Sequence, residues 1–207
     1  FEPVDNLLDR LRAVGATPLP PYIHERLNDP ERYQTVYSEA VGSAAAPTAG
    51  LHFTPEVLAA VRAKGVDVVP VTLDVGLDTF RPVEVEDAST HVMHGERVVL
   101  SQASADRLNA AQGRIIAVGT TAVRALESFA IGPRRVRPGA METRLFIRPG
   151  FQFQVVDGLL TNFHLPKTTL LMMISALASR EAIFEAYAAA IAERYRFLSF
   201  GDCMLIL

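Results

Sequence analysis

The hydrophobic positions change period repeatedly along this chain, and each change marks the edge of a short element. Leu7, Leu8, Leu11 and Val14 recur at helical spacing with Gly15 just beyond, which predicts a helix over 4–14. Pro18, Pro20 and Pro21 then hold the backbone extended. Asp29-Pro30-Glu31 and Thr54-Pro55-Glu56 each pair a capping side chain with a proline at the first helical position, so a helix is predicted to begin at both. The β-branched run 66–73 reads as a buried strand, followed by a glycine-containing turn over 74–83. A helix is predicted over about 102–111, a strand over 114–120 and a helix over 121–128, whereas 131–143 has loop composition. Strands are expected at 144–147, 151–156 and 158–161. An apolar helix follows from Leu170, then an amphipathic helix over 180–195 and a last strand from Cys203.

Strands alternating with helices in this way predict an α/β fold: a mixed, largely parallel sheet with helices on both faces, a Rossmann-like layered sandwich. One domain is expected over 1–207, with 1–30 a lead-in helix and extended segment. The organising stretch is 156–178. Leu159-Leu160 ends a buried strand, Thr161, Asn162, Phe163 and His164 turn polar or aromatic, Pro166 stops the strand, and Thr168 can cap the next helix. A buried strand feeding a polar loop that ends at a helix N-terminus is where open α/β sheets bind ligands.

Composition narrows this further. Hydrophobic residues make up 49% of the chain and charged residues 21%, which describes a globular protein with a full core. No apolar run reaches the ~18 residues of a membrane span and no secretory leader is visible, so a cytoplasmic protein without membrane association is expected. Cys203 is the single cysteine, which excludes an intramolecular disulfide or a multi-cysteine zinc site. A net charge of −3 argues against a broad nucleic-acid surface but leaves room for a local basic patch among Arg134, Arg135, Arg137, Arg144 and Arg148.

Three constellations carry candidate chemistry. His91 and His94 with Glu96, completed by His52 or His164, have the donor types of a metal site, although an H-x-x-H pair is equally served by loop carbonyls and no metal is expected. In AVGTTAVRALE (117–127), Gly119 permits close backbone approach, and Thr120 and Thr121 sit where free N–H groups of the next helix point outward. Arg124 and Glu127 project from that helix on one face. A bound carboxylate, phosphate or ribose, or a plain capped helix with a surface ion pair, both fit this pattern. In 193–204, Tyr195, Arg196 and Asp202 surround Gly201, as in a nucleoside clamp or a sheet-edge closure.

The segments YQTVYSEAVGSAAAPTAGLHF (33–53), HVMHGE (91–96), AVGTTAVRALES (117–128), LFIRPG (145–150), VDGLLTNFHLPKTTLL (156–171) and YRFLSFGDCM (195–204) together resemble the S-adenosylmethionine:tRNA ribosyltransferase-isomerases of queuosine biosynthesis. The likeness keeps its order over almost the whole chain. It departs at LDVGLDTFRPV, where the family has LHVGxGTFxPV, so that Asp74 and Asp78 replace a histidine and a glycine. It also implies an upstream region, including most of a small β-barrel domain, that these residues lack.

The resemblance implies transfer and isomerisation of the S-adenosylmethionine ribosyl group onto 7-aminomethyl-7-deazaguanine at the tRNA wobble position, giving epoxyqueuosine, adenine and methionine. S-adenosylmethionine is then a substrate and no cofactor is implied. On this reading His164 and His52 are the proton-transfer candidates. Thr48, Gly50, Gly119, Thr120, Thr121, Arg124, Asn162, Tyr195, Arg196 and Asp202 are substrate-binding candidates. Arg134, Arg135 and Arg137 face tRNA, and the protein is expected to be a monomer. A non-catalytic relative that keeps nucleoside binding, and a histidine-based metal hydrolase, are the alternative readings.

Overall fold

The computed structural model describes residues 10, 15, 18–25, 27–39, 43–76 and 93–207. Most of the predicted 4–14 helix, His91 and Asp78 lie outside these. Among the described residues, eight strands and five α-helices follow in order: α1 (Pro55–Ala63), β1 (Thr72–Asp74), β2 (Glu96–Leu100), α2 (Gln102–Ala110), β3 (Ile116–Val118), α3 (Thr120–Ser128), β4 (Ala130–Gly132), β5 (Arg135–Val136), β6 (Gly139–Thr143), β7 (Gly158–Asn162), α4 (Thr169–Leu177), α5 (Arg180–Ala192) and β8 (Cys203–Ile206). Short 3₁₀ turns occupy Pro30–Tyr33 and Thr48–His52.

The strands form three small sheets, ordered β1-β2-β6, β3-β7-β8 and β4-β5. Among the described strands only β3 and β7 run parallel, and every other pair is antiparallel. The expectation of a largely parallel, Rossmann-like sheet is therefore wrong. Helices do alternate with strands here, but the chain returns through antiparallel partners instead of right-handed crossovers into one sheet. No closed barrel occurs among the described residues.

Two local expectations fail for identifiable reasons. Residues 151–156 form no strand because the backbone N–H groups of Gln154, Val155 and Val156 all donate to the Glu127 carboxylate, at 2.9, 3.0 and 2.9 Å. That takes the donors a sheet ladder would need. Conversely, the glycine- and proline-rich 131–143 holds β5, β6 and most of β4. Its hairpin between β4 and β5 turns through Arg134 at φ 56°, and the pairing register shifts between Ala130 and Gly132. Residues 144–147 and 66–71 are likewise irregular.

Capping follows local chemistry closely. Thr54, Ser101, Thr168 and Ser179 each accept a first-turn N–H at the starts of α1, α2, α4 and α5. At α3 the cap is Gly119 at φ 90°, which offers no side chain. The Gly119 N–H donates to Leu160 O at 2.9 Å and so extends the β3–β7 pairing by one step into the helix. The core packs Val98 and Leu100 of β2, Val123 and Phe129 around α3, Leu159 of β7, and Met173, Ile174 and Ile183 of the last two helices. β7 is buried at four of five positions, as a central strand should be.

Candidate functional site

β3 and β7 are parallel, so their carboxyl ends open on the same side. β3 leads through Gly119 to Thr120 and Thr121, and β7 leads through Asn162 to Phe163 and His164. These residues line one cleft with Thr48 of the 3₁₀ turn, Tyr22, Val75, Thr168, Leu198 and Ser199. With its open mouth counted, the cleft encloses about 770 Å³, much of it open to solvent. Among the described residues, no Asp, Glu, Lys or Arg side chain lines it.

One wall is a helix start. Thr120 and Thr121 are the first residues of α3, each over nine-tenths buried, and neither hydroxyl bonds to another described residue. Because Gly119 contributes no capping side chain, the first-turn N–H groups keep their partial positive charge for a ligand oxygen. His164 also lines the cleft. Its Nε2 lies 2.9 Å from Thr161 Oγ1, and its backbone N–H donates to the Tyr187 hydroxyl at 2.7 Å. Tyr187 packs in turn against Phe163 and Phe197, so the loop after β7 is pinned by an aromatic cluster. Burial pushes the His164 imidazole down from 6.5 to about 4, so it is neutral at pH 7.

A second polar row crosses the floor. Asn162 Nδ2 donates to Thr48 Oγ1 at 2.9 Å, and Asn162 Oδ1 lies 2.9 Å from His52 Nε2. Asn162 and Thr48 line the cleft; His52 stands one residue removed from it, in contact with Asn162. Gly50 is one turn from Thr48, where a Cβ would collide with the Tyr37 hydroxyl and come within 2.8 Å of Thr35 Cγ2.

The remaining candidates lie elsewhere. Arg124 is buried under α3, with Nη2 2.9 Å from Glu96 Oε2 of β2, so it holds helix to sheet and does not line the cleft. Its burial disfavours the charged guanidinium, and Glu96 opposes that effect. Neither a ligand-facing position nor a surface pairing with Glu127 is found among the described residues: two buried anchorages take their place, Arg124 on Glu96 and Glu127 on the 154–156 backbone. Arg196 and Asp202 close their own loop, with Arg196 N–H on Asp202 Oδ2 at 2.7 Å and Nη2 on Oδ1 at 2.8 Å. The Arg196 hydrogen bonds hold the Asp202 carboxyl below the usual carboxylate range, helped to a smaller degree by His52. Tyr195 is half exposed, its ring 6.0 Å from Phe163. None of these three lines the cleft.

Arg134 pairs with Asp157 at 2.6 Å and donates to Gly113 O. Arg135 and Arg137 are exposed, without an ion-pair partner among the described residues. Asp74 faces Arg97 across the β1–β2 pair, 3.7 Å away. Among the described residues no three His, Cys, Asp or Glu side chains gather as metal ligands, and no helix is long and apolar enough to cross a membrane.

Tyr22 is the cleft residue that sequence patterns do not single out. It follows Pro20-Pro21, shows no periodicity, and shares a 2.6 Å hydrogen bond with Ser199, distant in sequence. A hydroxyl-bearing aromatic directly after a stiff proline segment was the available signal.

Comparison with known proteins places this geometry. A family model described as queuosine biosynthesis protein matches residues 1–206. An S-adenosylmethionine:tRNA ribosyltransferase-isomerase of Symbiobacterium thermophilum is 58% identical over 98% of this chain and 60% of its own length. That of Desulforamulus reducens is 54% identical over 100% of this chain and 62% of its own. The crystal structure of an S-adenosylmethionine tRNA ribosyltransferase from Thermotoga maritima superimposes with a TM-score of 0.64 at 42% identity, covering 77% of this chain and 51% of that one. The chain thus spans about three-fifths of the length of these curated relatives. With a family model matched from the first residue to the last but one, the chain belongs to the queuosine biosynthesis protein family.

Proposed function

We propose that this chain forms the S-adenosylmethionine-binding and reaction cleft of a tRNA ribosyltransferase-isomerase. The enzyme moves the ribosyl group of S-adenosylmethionine onto 7-aminomethyl-7-deazaguanine at the wobble position and yields epoxyqueuosine, adenine and methionine, with no further cofactor. The observation that carries the reading is a cleft that is lined by a neutral imidazole and by a helix N-terminus, with no charged side chain among the described residues that line it.

The substrate brings its own charges, a sulfonium and an amino-acid carboxylate. The sulfonium acidifies the adjoining C5′–H, and an unprotonated His164 can take that proton. The Thr120 and Thr121 N–H and O–H groups suit the carboxylate or the ribose oxygens, because a helix N-terminus favours negative charge. Thr48 and Asn162 supply neutral hydrogen bonds to the nucleoside. Gly50 keeps the turn that carries Thr48 close to Tyr37. Arg135 and Arg137, with Arg134 holding their hairpin in place, meet the tRNA backbone electrostatically.

The full-length protein given S-adenosylmethionine and precursor-bearing tRNA should release adenine. His164→Ala should lower kcat by about 100-fold or more, the usual range for losing a general base. Wild-type turnover by that variant would remove His164 from the mechanism. Absence of adenine release by the wild type would overturn the reading as a whole.

A further inference from the structure

The Thr48–Asn162–His52 row is directional. An asparagine amide has one acceptor oxygen and two N–H donors. Here the oxygen is directed at His52 Nε2 and one N–H at Thr48 Oγ1, both at 2.9 Å. His52 must then carry its proton on Nε2, since two acceptors cannot face each other across a hydrogen bond. Held this way, Asn162 keeps its second N–H, and Thr48, already accepting from Asn162, keeps its own O–H. Neither donor has another partner among the described residues, and both residues line the cleft while His52 does not. A free asparagine amide would rotate and offer its oxygen half the time; a buried one with His52 against its oxygen cannot.

We propose that His52 is a positioning residue: its Nε2–H locks the Asn162 amide so that the cleft presents two fixed donors, from Asn162 and Thr48, to a neutral acceptor atom of the nucleoside. This deepens the function proposed above, whose substrate supplies the acceptor, and it gives His52 a task other than proton transfer. The Asn162 and Thr48 donors contact substrate, and His52 acts through them.

Two measurements on the full-length protein test it. ¹⁵N NMR of the His52 ring reads the tautomer without turnover. The wild type should show Nε2–H, and Asn162→Leu should lose that fixed tautomer. An Nδ1–H tautomer in the wild type would overturn the proposal. Steady-state adenine release then separates positioning from proton transfer. His52→Gln places an amide N–H where Nε2–H stood and should keep kcat and KM within about threefold, with an unchanged pH profile. His52→Leu should raise the KM for S-adenosylmethionine about tenfold and leave kcat largely intact, as loss of one oriented hydrogen bond requires. A collapse of kcat in His52→Gln, or loss of a pH limb, would show His52 transferring protons and overturn the proposal. If the wild type releases no adenine, the enzymatic reading fails while the ring tautomer still decides this one.

Discussion

Glu127 ties the segment that leads into β7 to the core, and its replacement is the most quantitative test of how this fold builds its cleft. The side chain is 7% exposed, and its carboxylate accepts three backbone N–H bonds: Oε1 from Val155 and Val156, Oε2 from Gln154. Those residues lead directly into β7, which ends in Asn162 and the loop carrying His164. Glu127→Gln keeps an oxygen for Val155 and Val156 but turns an NH₂ toward the Gln154 N–H. It therefore weakens two charge-assisted bonds to neutral ones and loses the third, for about 2–4 kcal/mol in all. Glu127→Ala additionally bares two buried N–H groups and opens a cavity, so it should be worse still. At about 2–4 °C per kcal/mol for a domain of this size, the glutamine variant should melt roughly 4–16 °C below wild type. Urea titration should show a lower midpoint with an unchanged slope. An alanine variant within about 1 kcal/mol of wild type would refute the reasoning, since the three donors would then have other acceptors.

Other outcomes follow from the same geometry. Because His164 is depressed from 6.5 to about 4, kcat/KM for adenine release should stay level as pH falls through 6.5 and drop only toward 4; a limb near 6.5 would contradict this assignment. The unfolded chain binds the His164 proton below 6.5 while the folded one does not, so this group makes stability fall as pH drops from 6.5 to 4. The loss is about 3 kcal/mol at most, and His164→Gln should remove it from a pH series of urea midpoints. Arg135→Ala and Arg137→Ala should each weaken tRNA binding and reduce the salt slope by about 1, whereas Arg134→Ala should chiefly lower the melting temperature because it ties Asp157 and Gly113. Gly50→Ala should displace the Thr48 turn and raise the KM for S-adenosylmethionine, seen as weaker calorimetric binding; unchanged affinity would mean Tyr37 yields freely.

What could be read from the sequence was local. Thr54-Pro55-Glu56 and Lys167-Thr168-Thr169 announce helix starts through groups a few residues apart, and the structure puts α1 and α4 there. Gly119 followed by two threonines likewise carries its own backbone logic, so a strand running into an uncapped helix was legible. Strand partnering was not. Whether β8 runs with or against β7 depends on the path through α4 and α5, and no side chain in CMLIL encodes it. Residues 151–156 alternate as a strand should, yet a carboxylate 27 to 29 positions earlier takes their donors. The same distance problem hid the Arg124–Glu96 anchorage, because β2 was not foreseen as a strand and its glutamate therefore had no place beneath α3. The histidines are a mixed case: His52 and His164 both stand out by type, but only the fold distinguishes the ring that meets the cavity from the ring that meets an amide.

A pocket walled by hydroxyls, amides and a deprotonated ring is nearly blind to ionic strength, since screening acts on full charges and leaves short dipolar contacts alone. The nucleic-acid partner proposed above, if held through the exposed Arg135 and Arg137 guanidinium groups, has the opposite sensitivity. Added potassium chloride should therefore uncouple the two substrates: saturation by the small sulfonium donor would be retained while the macromolecule dissociates, so that plain salt becomes a means of loading one without the other.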